Sequence, residues 1–227
     1  MDNTEQILDF IGQDVHMRKQ DSYADFISAL AKTFFEAESD YLEKKSGDEE
    51  KFKKSAEWIT NLFYIYKILL NQQESKLLES LVSDHLFEST FGVLEYNPEI
   101  NQEESIGKYR SFLKNEAVYK QVVQFTEIGL DQIDQKIHTC YRLNYLKDTA
   151  LPTGLEESMI MFINQICQQL SLEIIHEIAM SSEIRTELIA KLHSEDIQVK
   201  QDALGFLGEI LSFSKSFQAQ VRSNILS

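Results

Sequence analysis

A chain of 227 residues with 8 glycines and 2 prolines has few places where a helix can be stopped. Glycine costs a helix interior roughly 1 kcal/mol relative to alanine, and proline about 3 kcal/mol. Their scarcity predicts long helices joined by short turns. Apolar residues make up 43% of the chain, enough to bury a core. No stretch alternates strictly between apolar and polar over a strand's length. The expectation is an all-α protein.

Helical spacing of apolar residues places the elements. An opening helix is expected near Glu5–His16, and after Asp21-Ser22, which can cap through side-chain oxygen, a second helix carries Phe26, Leu30, Phe34, Ala37 and Tyr41. The polar run Glu43–Glu50 reads as a surface loop. From about Glu50 to Leu70, Ile59, Leu62, Phe63, Tyr66, Leu69 and Leu70 share one face, and Trp58, Ile65 and Ile68 form a second strip, as in a helix packed between neighbours. Shorter helices are expected over Glu74–Val82 and Asp84–Glu95, the latter stopped at Asn97-Pro98.

A polar connector, Glu99–Ser105, precedes helices near Gly107–Leu113, Val118–Phe125 and Leu130–Leu146, with Pro152 placed to start the next. The segment Leu155–Met180 is apolar almost all round and reads as two buried helices broken near Ser171. Helices over Glu183–His193 and Glu195–Ser214 follow. In the latter, Asp196-Ile-Gln-Val-Lys200 leads into Ala203, Leu204, Leu207, Ile210 and Leu211, the pattern of the second helix of a HEAT or armadillo unit. Phe206, Phe213 and Phe217 give it a second apolar side, as stacking between repeats requires. The fold class expected is an armadillo/HEAT-like α-solenoid of degenerate repeats, a single domain over residues 1–227 cut from a longer solenoid.

With 22 Lys+Arg against 37 Asp+Glu, the formal charge of −15 disfavours phosphate backbones and anionic lipid and favours basic partner segments. Two cysteines, Cys140 and Cys167, are too few for a disulfide framework or a four-cysteine metal site, and small buried thiols in a reduced, intracellular protein are the natural reading. Met1-Asp-Asn-Thr-Glu-Gln lacks the order of a signal peptide, and no apolar run approaches the roughly 20 residues that span a bilayer.

Catalytic chemistry is sparse. His176-Glu177-Ile178-Ala179-Met180 has methionine where a zinc protease needs a second histidine. His138 and Cys140, two apart on a helix, point about 200° from each other and cannot form a nucleophile–base pair. Nucleophile-elbow, Walker and dinucleotide motifs are absent from the sequence. Glu49-Glu50, Glu103-Glu104 and Glu156-Glu157 read as solvated faces or helix starts favoured by the macrodipole. No cofactor, metal or catalytic residue is expected. Tyr141, Arg142 and Tyr145, flanked by Lys136 and Lys147, form a local basic and aromatic patch. It reads either as tyrosines packed between helices or as a docking surface, since tyrosine and arginine dominate interface hot spots.

Two stretches carry a resemblance. The first runs Phe87-Glu88, then Gly92-Val-Leu-Glu-Tyr-Asn-Pro98; the second supplies Gln135, Lys136, Ile137, His138, Tyr141, Arg142, Tyr145, Asp148, Leu151, Pro152 and Thr153. In order and spacing they resemble the central helical domain of the SMEK/Falafel family, regulatory subunit 3 of protein phosphatase 4. Asn97 stands where the family pattern has aspartate, the Glu43–Glu50 loop looks longer than the family's, and the C-terminal helices match it only in helical pattern. Leu62–Asn71 and Tyr109-Arg110 with Phe112-Leu113 are weaker echoes, and the similarity covers roughly Arg18–Ser227. The family's EVH1-like domain and low-complexity tail are not represented.

The resemblance implies a non-catalytic scaffold that tethers the phosphatase 4 catalytic subunit and its companion regulatory subunit to substrate proteins, raising the effective concentration of phosphosite at active site. It further implies a nuclear and cytoplasmic location and a place in the DNA damage response. The contact residues expected are Tyr141, Arg142 and Tyr145, with Glu95 and Tyr96 second; no direct contact with nucleic acid or membrane is expected. The alternatives are a helical-repeat adaptor in transport or trafficking with no phosphatase link, and a hydrolase resting on His176-Glu177 and Cys140.

Overall fold

The computed structural model describes residues 22–43, 49–100, 105–117, 121–151 and 154–226, and over 22–24 and 216–226 the backbone alone. The helix expected near Glu5–His16, the cap at Asp21, most of the Glu43–Glu50 loop, the acidic part of the connector after Ile100, and Pro152 lie outside the described residues. Among those described, the protein is all-α, as the periodicity requires of a helical-repeat chain. In order come α1 (Ser22–Glu43), α2 (Glu49–Leu70), α3 (Ser75–Leu81), α4 (Phe87–Glu95), α5 (Lys108–Ser111), α6 (Asp131–Tyr145), α7 (Glu157–Met180), α8 (Ser182–Leu192) and α9 (Ile197–Leu226). Two π-helical turns, Phe112–Glu116 and Leu146–Ala150, continue α5 and α6.

The residues gather into two compact units. The first comprises the chain up to Ala117 together with Tyr141–Asn164, and the second Val118–Cys140 with Gln165–Ser227. Two of the three boundaries fall within α6 and α7, and the third follows Ala117.

In the first unit, the predicted face of α2 is buried throughout: Ile59, Leu62, Phe63, Tyr66, Leu69 and Leu70. The second strip differs, because Trp58 is half exposed. In α1 the buried line is Ile27, Ala31, Phe34, Ala37 and Glu38, whereas Phe26, Leu30 and Tyr41 are only half-buried. The stripe is rotated towards a buried acid that hydropathy could not select. Glu74 starts α3 by accepting from the backbone N–H of Leu77 at 2.7 Å and satisfying one of the orphan donors of a helix N-terminus. Acidic Glu49 and Glu50 occupy the first turn of α2, as the macrodipole favours.

The second unit packs around Val123, Phe125, Ile133, Ile178, Ile184, Leu188 and Ala203. Val123 and Phe125 reach this core from turns, so the helix expected over Val118–Phe125 is absent over its described part, 121–125. The Gly129 amide donates to the Thr126 carbonyl and Gly129 takes φ +73°, a left-handed value that a residue with a Cβ disfavours. The break expected near Ser171 is absent too: α7 is one helix of 24 residues. The Ser171 hydroxyl donates back to the Cys167 carbonyl at 2.7 Å, satisfying itself without opening the ladder.

The Ala/Leu stripe of α9 is not buried as a unit. Ala203 is buried and Leu207 and Ile210 pack against the core, while Leu204 and Leu211 are exposed. The Asp196 carboxylate accepts from the Gln198 amide at 2.8 Å and opens the helix.

Candidate functional site

The Gly92-Val-Leu-Glu-Tyr96 stretch is the end of α4, buried residue by residue from Ser89 to Tyr96. Burying this much chain requires each polar group to find a partner. The Glu95 carboxylate is wholly buried and accepts from the Gly107 amide, the Arg110 amide and Arg110 Nε, each at 2.8 Å. Its carbonyl accepts from the Ser105 hydroxyl at 2.6 Å. One glutamate thereby anchors the chain returning into α5. Gly107 sits there at φ +80°, an angle glycine supplies without strain.

The Arg110 guanidinium bridges Glu95 to Glu38 of α1, reaching Glu38 Oε2 and Oε1 at 2.9 and 2.6 Å. The Tyr96 hydroxyl donates to Glu38 at 2.9 Å. Burial acts to lower the Arg110 pKa, but the two carboxylates outweigh it and hold the group further up than usual. Burial, then the negative charge of Glu38, pushes the Tyr96 phenol well above its ordinary value. Gly92 is required by this arrangement: a Cβ there would lie 2.7 Å from the Phe34 ring and 3.1 Å from the Arg110 guanidinium carbon.

The second stretch meets the same short helix. Arg142 of α6 donates to the Val82 carbonyl at 2.9 Å and to Asp84 at 2.6 Å, with its guanidinium 4.1 Å above the Phe87 ring. One turn on, Tyr145 stacks on Phe112 at 5.0 Å with an interplanar angle of 10°. It also contacts Phe91 and Tyr109. Burial first, then neighbouring Tyr109, Tyr141, Glu95 and Glu116, pushes the Tyr145 phenol up to about 12.

Of the five expected contact residues, Glu95, Tyr96 and Arg142 are therefore buried with intrachain partners, Tyr145 is half-buried in an aromatic cluster, and Tyr141 is exposed. Lys136 does not extend a basic patch: it pairs with Glu173 and Glu177 at 2.9 and 2.6 Å. Lys147 reaches Asn164 at 2.8 Å. Sequence reasoning missed Glu38 and Arg110, the other half of the Glu95 network. Arg110 lies in the weaker echo and Glu38 breaks the apolar run of α1, but nothing local marks either as a partner of residue 95.

Among the described residues, an open groove of about 580 Å³ is lined by residues including Ala31, Lys32, Phe35, His85 and Leu86. Among the described residues, no group of three or more His, Cys, Asp or Glu could hold a metal ion. His176 is exposed, and Glu177 is committed to Lys136. No helix among them is long and apolar enough to cross a membrane.

This is the arrangement of an all-α helical-repeat protein whose most distinctive residues hold its own helices together. The chain belongs to the phosphatase 4 regulatory subunit 3 family, whose model matches residues 24–227. It is similar to Suppressor of Mek1 from Dictyostelium discoideum, with 28% identity over 183 residues, covering 78% of this chain and 17% of that protein. It is likewise similar to Protein PPP4R3C1 of Mus musculus, 28% identical over 177 residues, 76% of this chain and 21% of that one. The chain thus spans about a fifth of the length of these relatives. No solved structure matches it. The family description is that of a regulatory subunit, not a catalytic one.

Proposed function

We propose that this chain is a non-catalytic scaffold domain of a protein phosphatase 4 complex, holding the catalytic subunit and a companion regulatory subunit close to substrate proteins. The observation that carries the reading is the family match over residues 24–227. The metal chemistry of dephosphorylation belongs to the catalytic partner, and the scaffold contributes effective concentration. A nuclear and cytoplasmic location, with a role in the DNA damage response, goes with this reading.

The five residues Tyr141, Arg142, Tyr145, Glu95 and Tyr96 divide by role. Tyr141, with its exposed ring, is the direct contact. Arg142, Tyr145, Glu95 and Tyr96 set the position of α6 and α4 from beneath and act on a partner through that placement. The test is affinity purification of the full-length protein followed by mass spectrometry. Recovery of phosphatase 4 catalytic and regulatory subunits is expected, reduced by Tyr141→Ala. Recovery of transport factors with no phosphatase subunit would overturn the reading in favour of a trafficking adaptor.

A further inference from the structure

The chain's two cysteines face one another across α6 and α7. The Cys140 thiol lies 3.9 Å from the Cys167 carbonyl oxygen, and the Cys167 thiol lies 3.7 Å from that of Cys140. The contact is reciprocal. A carbonyl oxygen is about 2.4 Å from its own Cα, so each sulfur lies within roughly 6 Å of the opposite Cα. A disulfide needs its two Cα atoms about 4.4–6.8 Å apart, so bonding takes rotation of both thiols about χ1 together with whatever approach of the two helices brings the Cα atoms into that range. The Lys136 pairs with Glu173 and Glu177, one turn and more away, hold these segments of the two helices in register.

We propose that Cys140 and Cys167 are a redox modification site that closes reversibly into an intramolecular disulfide, stapling α6 to α7. The oxidant class is a low-molecular-weight disulfide such as oxidised glutathione. Cys140 is half-buried and Cys167 buried, which sets the order of events. The Cys140 thiolate attacks one glutathione sulfur, the glutathione S–S bond breaks, and one glutathione leaves as a thiolate that takes up a proton. The Cys167 thiolate then attacks the Cys140 sulfur of the mixed disulfide and expels the second glutathione. Two protein thiols are oxidised and one small disulfide is reduced to two thiols.

The experiment treats the full chain with oxidised glutathione, alkylates the remaining thiols and reads the intact mass and the peptide map. The expected result is loss of two hydrogens, no alkylation, a cross-linked peptide joining the Cys140 and Cys167 segments, and a higher Tm, all reversed by dithiothreitol. In Cys167→Ser, one glutathione should remain on Cys140; in Cys140→Ser, none should be taken up. Full alkylation of both cysteines after oxidation, cross-links between chains alone, or a glutathione adduct that persists on Cys140 with Cys167 present would each overturn the proposal. The mass of the unsubstituted chain decides the matter even where a serine variant fails to fold.

Discussion

Arg142 stands over the face of Phe87 at 4.1 Å while its nitrogens reach the Val82 carbonyl and Asp84, so α6 is tied at one residue to the turn before α4 and to the first residue of α4 itself. Four residues along α4, Phe91 meets Tyr145. The i, i+4 spacing on one helix answers the i, i+3 spacing on the other, because both put side chains on one face. The two sequence stretches, some fifty residues apart, are thereby halves of one packing arrangement.

Arg142→Glu with Tyr145→Ala is expected to collapse the first unit rather than leave a folded protein with a damaged surface. The carboxylate would face Asp84 and the Val82 carbonyl, and the aromatic cluster would lose its central ring. Asp84 is half exposed, so its pairing with Arg142 counts for little. Leaving the buried Val82 carbonyl without its donor costs about 1–3 kcal/mol, and the lost ring contacts add to a total that is a large share of a typical stability of roughly 5–15 kcal/mol. Thermal and urea melts measure it. A double variant that melts within a few degrees of the parent would contradict the packing described.

Glu95→Ala should destabilise by about 3–5 kcal/mol, because it leaves the Gly107 and Arg110 amides without their acceptor and Arg110 with Glu38 alone. Glu95→Gln should cost less, since its oxygen still accepts. Urea denaturation of the two variants side by side tests this ordering; equal losses would show that charge, not acceptor number, dominates.

Gly92→Ala and Gly208→Ala should act in opposite directions. At position 92 the added methyl meets the Phe34 ring at 2.7 Å, and overpacking costs about 1–3 kcal/mol. At position 208 nothing lies within 4 Å, and alanine in a helix interior should stabilise by roughly 0.5–1 kcal/mol. Melting temperatures of both variants, measured together, report the sign of each.

Tyr66 and Tyr145 should titrate late, with phenols pushed up to about 12. Burial is the leading cause at both, opposed at Tyr66 by its hydrogen bond with Ser89. A phenol whose folded pKa exceeds its unfolded value of about 10 contributes stability that is whole below pH 10 and is lost between about 10 and 12. Tyrosinate absorbance against pH, in the parent and in Tyr66→Phe, should show one late-titrating group removed. Loss of amplitude near pH 10 in Tyr66→Phe, with the late phase intact, would place Tyr66 in a wetter environment than this interior.

Most of the secondary structure was legible in the chain because it depends on short-range spacing. The α2 face, the α3 bounds to within a residue and the end of α4 before Pro98 follow from apolar periodicity and from proline's missing donor, whereas α4 begins at Phe87 and not at Asp84. The break expected near Ser171 does not form, because its hydroxyl finds the Cys167 carbonyl inside the helix. The helix expected to end at Phe125 does not form over 121–125, where Val123 and Phe125 are anchors delivered by turns.

The site was legible only as composition. Tyr141, Arg142 and Tyr145 stand out as a local patch, and Glu95 and Tyr96 as part of the first of the two stretches, but whether such residues face a partner or each other is a question of which side of the helix is covered. The amino-acid sequence by itself determined that this chain is helical, that it cannot easily interrupt its helices, and which family it belongs to. Only the tertiary structure decided that Glu38 and Arg110 complete Glu95 and Tyr96, that Arg142 turns inward, and that Cys140 meets Cys167. Helix formation reads contacts three or four residues apart. The partner of a buried charge lies 15 or 72 residues away, as for Glu95 and Glu38 with Arg110, where no local pattern can reach.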